Sequence, residues 1–434
     1  MLIEESVLLP GKEKDEMRGK KILSMFLSVG LCLVMVGAVF AEDTLKIGVM
    51  YPMSGPLAYT GQQCLRGAQI ARDMINEAGG VKGRKVEFVI GDSVSPKDAM
   101  AEAERLITVE KVPVISGGYS SSNSFAASDV CERHKTVFWV TTGVGDPITS
   151  RGYKYIFQLN TRASQWGSTT ADFLAKMAAP KLGIKPKDFR LALIHEDSLF
   201  GTIIGDNCVK RAEELGLQVV DRITYSHKTV DLSSEIAKLK AAKADGIVSI
   251  HYVNDGELFY GQAKQMRLNT KVLVGSVFFG LQQFQEKFGD LVDYVCVVDP
   301  PTRVEASKIA EPAAKVLTEF RKRFRDKYKS APGDPGFTSF GGTYVLLKHV
   351  LPKAENLDSE SIQKAAFGLD LPKLHTPYVF GVKFDKPPAK TAGANLNAFP
   401  VIMQWQKQDL LVVYPENLAS TSVQLPMPTW KERK

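Results

Sequence analysis

The stretch Val112-Pro-Val-Ile-Ser-Gly-Gly-Tyr-Ser-Ser-Ser-Asn-Ser-Phe-Ala-Ala-Ser-Asp-Val-Cys-Glu-Arg-His134, followed by Val137-Phe-Trp-Val-Thr141, decides the fold. A short apolar run, residues 112–116, ends in two glycines and a row of small polar residues. A helical stretch from about Ser122 to His134 follows, and then a second apolar run. Short buried runs joined by one helix are the mark of a βαβ unit, whose strands lie parallel in one sheet.

The same alternation extends outward from this unit. Upstream lie a strand at residues 45–50, a helix at 62–78, a strand at 86–90 and a helix at 96–109 with proline in its first turn. A second series begins near Ser164, with strands at 191–195, 218–225, 246–250 and 272–275 and helices at 201–215, 233–242 and 255–267 between them. Residues 295–298 read as a further strand, and 306–329, 337–351 and 359–367 as helices. Residues 379–385 read as a strand, and 401–414 as a hairpin turning at Gln406-Lys-Gln-Asp409. The fold class is therefore α/β, with two doubly wound, mostly parallel sheets covered by helices.

Bulk properties agree. A chain of 434 residues exceeds the size at which one core stops growing, so two lobes are expected. With 44% hydrophobic and 24% charged residues it has the composition of a globular protein, which excludes collagen-like and disordered classes. The net charge of +7 is dispersed, as in Glu319-Phe-Arg-Lys-Arg-Phe-Arg-Asp326, a solvated helix face. No nucleic-acid partner is expected, although a mildly cationic surface draws in anionic ligands.

At the N-terminus, Arg18, Lys20 and Lys21 precede an apolar run, residues 22–40, that ends in Val39-Phe40-Ala41. A basic end, an apolar centre and small residues before the cut predict a signal peptide over residues 1–41, with Met17 as an alternative start. A retained transmembrane anchor is the competing reading, since the run is about long enough to span a bilayer. Leu31 precedes Cys32, where a lipoprotein cleavage site wants a small residue. Export to the periplasm is expected, with membrane contact only through a partner. Four cysteines then remain, Cys64, Cys131, Cys208 and Cys296, which allow three pairings or none.

Candidate site residues lie just past strand ends, where open α/β sheets bind ligands. Met53-Ser-Gly-Pro-Leu-Ala-Tyr-Thr-Gly61 offers Tyr59 and Thr60. The serine run offers Ser120 and Ser121 at a helix start, where free N–H groups and the helix dipole favour an anion. Simple N-capping by Ser122 or Asn123 is the competing reading there. Thr141-Thr-Gly-Val-Gly-Asp146 offers Thr142 and the Gly143 amide. In the second series, Phe200 and Tyr252 offer apolar walls, and Asp197, Asp255 or Glu257 could meet a cation.

No phosphate-binding loop, HExxH or Cys/His metal spacing is present in the sequence, so no cofactor, metal or catalytic residue is expected. Gly118-Tyr-Ser120-Ser-Ser122 lacks the second glycine of a nucleophile elbow. A secreted serine hydrolase using Ser120 or Ser121 is the remote enzymatic alternative.

Taken in order, these segments resemble the branched-chain amino-acid-binding (Leu/Ile/Val-binding-like) family, the type I periplasmic binding proteins of ABC importers. The resemblance rests on Lys46-Ile-Gly-Val-Met-Tyr-Pro-Met-Ser-Gly-Pro56, Gly67-Ala-Gln-Ile-Ala-Arg-Asp-Met-Ile-Asn76, Gly79-Gly-Val-Lys-Gly83 and Ala127-Ser-Asp129. Thr149-Ser-Arg-Gly-Tyr153, Gly381-Val-Lys-Phe-Asp385 and Gln404-Trp-Gln406 add to it. It implies two lobes joined by a three-crossing hinge. Residues 42–161 plus 295–388 would form lobe 1, and 162–294 plus 389–434 lobe 2. The crossings would fall near Thr161, near Tyr294 and in the loop around residues 386–395.

The resemblance also implies a monomer that delivers a small carboxylate ligand, an amino acid or related acid, to ABC-importer permease subunits by hinge closure. Ser120, Ser121, Thr142 and Gly143 would hold the carboxylate, and Phe200, Tyr252 and Trp166 would close over it. A sensory protein of the same fold would share these residues. One departure stands out: where the family places an acid for the ligand's ammonium, this chain has Val277 within Ser276-Val-Phe-Phe279. Either Asp255 or Glu257 substitutes, or the ligand lacks an ammonium. Phe278 and Phe279 suggest a larger, more apolar ligand.

Overall fold

Valine, isoleucine and phenylalanine fill the short strands because both faces of each sheet are covered. In the computed structural model, which describes Met1 and residues 44–433, the expected signal segment 1–41 lies outside the described residues. The first sheet has five strands in the order β2-β1-β3-β4-β5. These are β1 (Thr44–Tyr51), β2 (Lys85–Asp92), β3 (Val114–Gly117), β4 (Val137–Val140) and β5 (Ile156–Gln158). Strands β1, β3, β4 and β5 pair in parallel. Helices α1 (Ala58–Glu77), α2 (Pro96–Thr108) and α3 (Ser121–Arg133) connect the first four strands. Ser95 and Asp98 form a capping box at the start of α2.

The second sheet has seven strands in the order β12-β11-β10-β9-β8-β6-β7. Strands β6 (Arg190–Glu196), β7 (Gln218–Tyr225), β8 (Gly246–Ile250), β9 (Val272–Ser276) and β10 (Cys296–Asp299) are parallel. The hairpin of β11 (Val401–Gln406) and β12 (Asp409–Tyr414) adds antiparallel to β10. Its turn residues Lys407 and Gln408 both have positive φ, as a two-residue hairpin turn requires. Among the helices of this half are α4 (Ala163–Phe173), α5 (Leu199–Glu214), α6 (Ser233–Ala242), α7 (Val253–Gln265) and α8 (Gln282–Phe288).

The chain passes between the sheets three times. The first passage, between β5 and α4, includes Thr161. The second follows Asp299 and not Tyr294, because β10 pairs with β9 and β11 and so belongs to the second sheet. From there α9 (Ala313–Tyr328) and α10 (Asp334–Val345) return to the first half, where Gly67 of α1 meets the Gly336 backbone of α10. The third passage follows Asn395, since Ala394 still bridges Gln158 of β5. Residues 389–395 therefore stay with the first sheet, where the sequence reading placed them in the second lobe. A last helix, α11 (Ser359–Phe367), precedes it.

The strand expected at 379–385 reduces to isolated bridges, Leu371 to Val382 and Phe384 to Asn395. Val379 has a positive φ (65°), and Pro387 and Pro388 follow, so no continuous ladder forms. Among the described residues no helix is long and apolar enough to cross a membrane.

Candidate functional site

The cleft between the two sheets opens at the C-terminal ends of their strands. After β3 the chain turns through Gly117 (φ 134°) and Gly118 (φ 78°), and a Cβ on Gly117 would sit 2.4 Å from the Met50 carbonyl oxygen. That close approach lets the Gly118 amide donate to Met50 at 2.8 Å and ties the serine loop to β1. Asn123 ties its other side, donating to the Ser93 carbonyl at 2.6 Å.

None of the serines spends its hydroxyl on capping. Ser120 is the N-cap of α3 but makes no side-chain cap bond. The hydroxyls of Ser116, Ser121 and Ser124 are buried without a hydrogen-bond partner, and so is the phenol of Tyr119. Buried polar groups in folded proteins are nearly always paired, so these orphans, at the end of β3, in the connecting loop and in the first turn of α3, leave hydrogen-bonding capacity unused. The helix starts at Ser121 with Ser120 as its N-cap, so Ser122 and Asn123 lie inside it and not at the capping position.

Thr142 is buried beside this loop, its hydroxyl 3.3 Å from those of Thr141 and Thr338 and 3.9 Å from the Cys64 sulfur. The Gly143 amide does not behave as expected: it donates to the Gly118 carbonyl at 2.8 Å and is not free for a carboxylate. Thr60 is buried and its hydroxyl donates to the Leu57 carbonyl at 2.8 Å, closing the first turn of α1. Tyr59 stays 41% exposed, and burial of the rest of its ring raises its pKa.

On the facing half, Glu196 ends β6 fully buried and accepts from the Ser198 amide, the Ser198 hydroxyl and the Gly201 amide. These bonds anchor the start of α5 and set Phe200. A row of rings follows: Tyr119 to Tyr252 at 6.1 Å, Tyr252 to Phe200 at 5.0 Å, and Phe200 to Trp166 at 5.9 Å. Tyr119 and Tyr252 thus meet across the cleft, while Trp166, fixed by its indole N–H on Thr161, backs Phe200. Asn254 also reaches across, donating to the Pro56 carbonyl at 3.3 Å. A cavity of about 610 Å³ remains between the halves, lined among others by Ser120, Asn123, Ser198, Tyr252 and Asp255.

The expected acids divide. Asp197 is held by His227 at 2.6 Å and Glu257 pairs with Lys287, so both are engaged. Asp255 is buried on α7, and its carboxylate accepts from the Tyr225 hydroxyl. His251 lies 3.9 Å away, but burial pushes its pKa down to about 3, so it offers no positive charge. Burial raises the pKa of Asp255.

Val277 is buried with φ 44°, opening the 3₁₀ turn Val277–Gly280, and does not line the cavity. Phe278 and Phe279 are not ligand walls. Both are fully buried in the second-half core against Phe284, with Phe279 also against Tyr260. Among the described residues no imidazole hydrogen-bonds Ser120 or Ser121, whose hydroxyls would need one to act as nucleophiles. The four cysteines are all free and buried.

Tyr119, whose ring meets Tyr252 across the cleft, is not among the candidates the sequence singles out. Its signal was present in the sequence, since it sits inside the serine run, but a tyrosine there reads as core.

Comparison with known proteins bears on the fold and the family. The Leu/Ile/Val-binding protein homolog 8 of Brucella suis biovar 1 is 35% identical over 395 residues, covering 90% of this chain and 96% of that protein. The branched-chain amino acid transporter substrate binding protein LivJ of Streptococcus pneumoniae, solved with isoleucine, superposes with a TM-score of 0.71. It is 21% identical over 86% of this chain and all of its own. An ABC transporter solute-binding protein of R. palustris, solved with benzoate, superposes with a TM-score of 0.70 at 19% identity, over 89% of this chain and 97% of its own. These likenesses show the type I fold. The sequence profile of the family described as periplasmic binding protein matches residues 44–398, and the chain belongs to that family.

Proposed function

We propose that the protein is a periplasmic solute-binding protein that captures a small carboxylate, an amino acid or related acid, and presents it to the permease of an ABC importer. The observation that carries this reading is the set of unpartnered hydroxyls at the start of α3, with Ser121 and Tyr119 foremost. A carboxylate accepts several hydrogen bonds at once, and the positive end of the helix adds a favourable field.

Ligand first docks on the serine loop. Closure of the hinge then brings Phe200 and Tyr252 over it and excludes water, which strengthens the polar contacts. The relatives lend support: an isoleucine complex and a benzoate complex share the fold, and each ligand carries a carboxylate.

Titration calorimetry with amino acids, their deaminated analogues and aromatic acids tests the proposal. Binding of carboxylates that weakens when Ser121 becomes alanine is expected. Tight binding of a neutral sugar with no carboxylate bound would sink it.

A further inference from the structure

The cavity between the halves has a second polar feature that the serine loop does not account for. Ser120, Ser122 and Asn123 line it from the first half, and Lys228 lines it from the second, on the loop that joins β7 to α6. Lys228 is the one residue of this lining with a permanent positive charge. Its backbone amide donates to the Ser226 hydroxyl at 3.4 Å, but among the described residues its ammonium has no ion pair and no hydrogen-bond partner.

The loop that carries Lys228 is anchored on both sides of it. Asp197, just past β6, accepts from the His227 amide at 3.0 Å and from the His227 Nδ1 at 2.6 Å. The Thr229 amide donates to the Ser226 carbonyl at 2.8 Å and closes the turn. Two acids also line the cavity, and both are engaged elsewhere: Asp197 by His227, and Asp255 by the Tyr225 hydroxyl. Neither is left to pair with Lys228. Much of the remaining wall is apolar, including Leu57, Val94 and Leu199. A volume of about 610 Å³ holds a whole small molecule, with room well beyond one carboxylate. Once a ligand fills this space and water leaves, an ammonium without an anion beside it is costly.

We propose that the ligand carries a second anionic group, which pairs with Lys228 while its first carboxylate meets the serine loop. The chemical class is a dicarboxylate with an apolar spacer. Its two ends join the two halves, so the ion pair with Lys228 forms as the hinge closes. The inference rests on the proposed solute-binding function and narrows its ligand to a dianion.

Calorimetry on the purified chain decides it, with matched probes: adipate against hexanoate, terephthalate against benzoate, and L-glutamate against L-norvaline. At least one diacid should bind about ten-fold or more tightly than its monoacid. Lys228→Gln should erase that advantage and leave the affinity for the monoacid unchanged, while Lys228→Arg, which keeps the charge, should retain it. The ligand-free Tm of Lys228→Gln should match the wild type, since the ammonium bonds nothing in the fold. Monoacids that bind as tightly as every matched diacid overturn the inference and leave the carboxylate reading standing. A diacid preference that survives Lys228→Gln overturns it as well. Binding of none of these acids removes the carboxylate reading and the inference together.

Discussion

Ser121 sits at the start of α3 with a hydroxyl that no protein group engages, so its removal costs the ligand-free fold little. One hydrogen bond to a charged group is worth about 1.5 kcal/mol, which is roughly ten-fold in affinity. Ser121→Ala should therefore weaken carboxylate binding about ten-fold by calorimetry and leave the ligand-free Tm unchanged. The serine loop was legible in the sequence because two glycines and four serines exceed what a helix cap needs. The Gly143 amide is a candidate donor because it lies just past a strand end and because the family resemblance places the carboxylate at this turn. Only the three-dimensional turn shows that Gly118 takes it.

Elements pack as closely as their smallest residues allow. Helices α1 and α10 meet where a Cβ on Gly67 would come within 2.0 Å of the Gly336 carbonyl oxygen, a backbone atom that cannot swing away. Gly67→Ala should destabilise the protein by about 1–3 kcal/mol, read from urea unfolding. Strand β8 and helix α7 frame His251, whose imidazole bonds Ser249 and Tyr225 and faces Asp255, with His195 also in its field. Its pKa is pushed down to about 3 by burial, while in the unfolded chain it is about 6.5. The unfolded chain thus binds the extra proton first, and the stability held above pH 6.5 is lost as pH falls toward 3. From pH 7.5 to 5.0 the wild type should lose about 2 kcal/mol more than His251→Gln, measured by urea unfolding at each pH.

Element boundaries followed the hydrophobic runs closely: β7, β8, α6 and α11 begin and end where the sequence predicts. Strand β5 was not read, because a strand of three residues carries no periodicity.

Across the whole molecule, the two-sheet plan was visible as two repeats of one alternation, but the passages between sheets were not all placed correctly. Which sheet receives β10 depends on pairing with β9 and with β11, more than a hundred residues downstream, and no local pattern records that choice. In the proposed function the ligand sits between the halves and should stabilise them as a unit. A ligand at about 100 times its Kd adds about 2.7 kcal/mol to the unfolding free energy, and differential scanning calorimetry should show the Tm rising with ligand concentration. A ligand gripping one half alone would split that transition in two.

The buried, unpaired thiols give the molecule a set of internal clocks. Cys64 lies beside the cleft, Cys131 in the first half, Cys208 in the second and Cys296 on β10 next to the hinge, and burial raises the pKa of each. An alkylating reagent can mark a given cysteine only while its neighbourhood is open. Brief pulses of such a reagent, followed by mass spectrometry, would time the opening of cleft, halves and hinge separately without adding a single label.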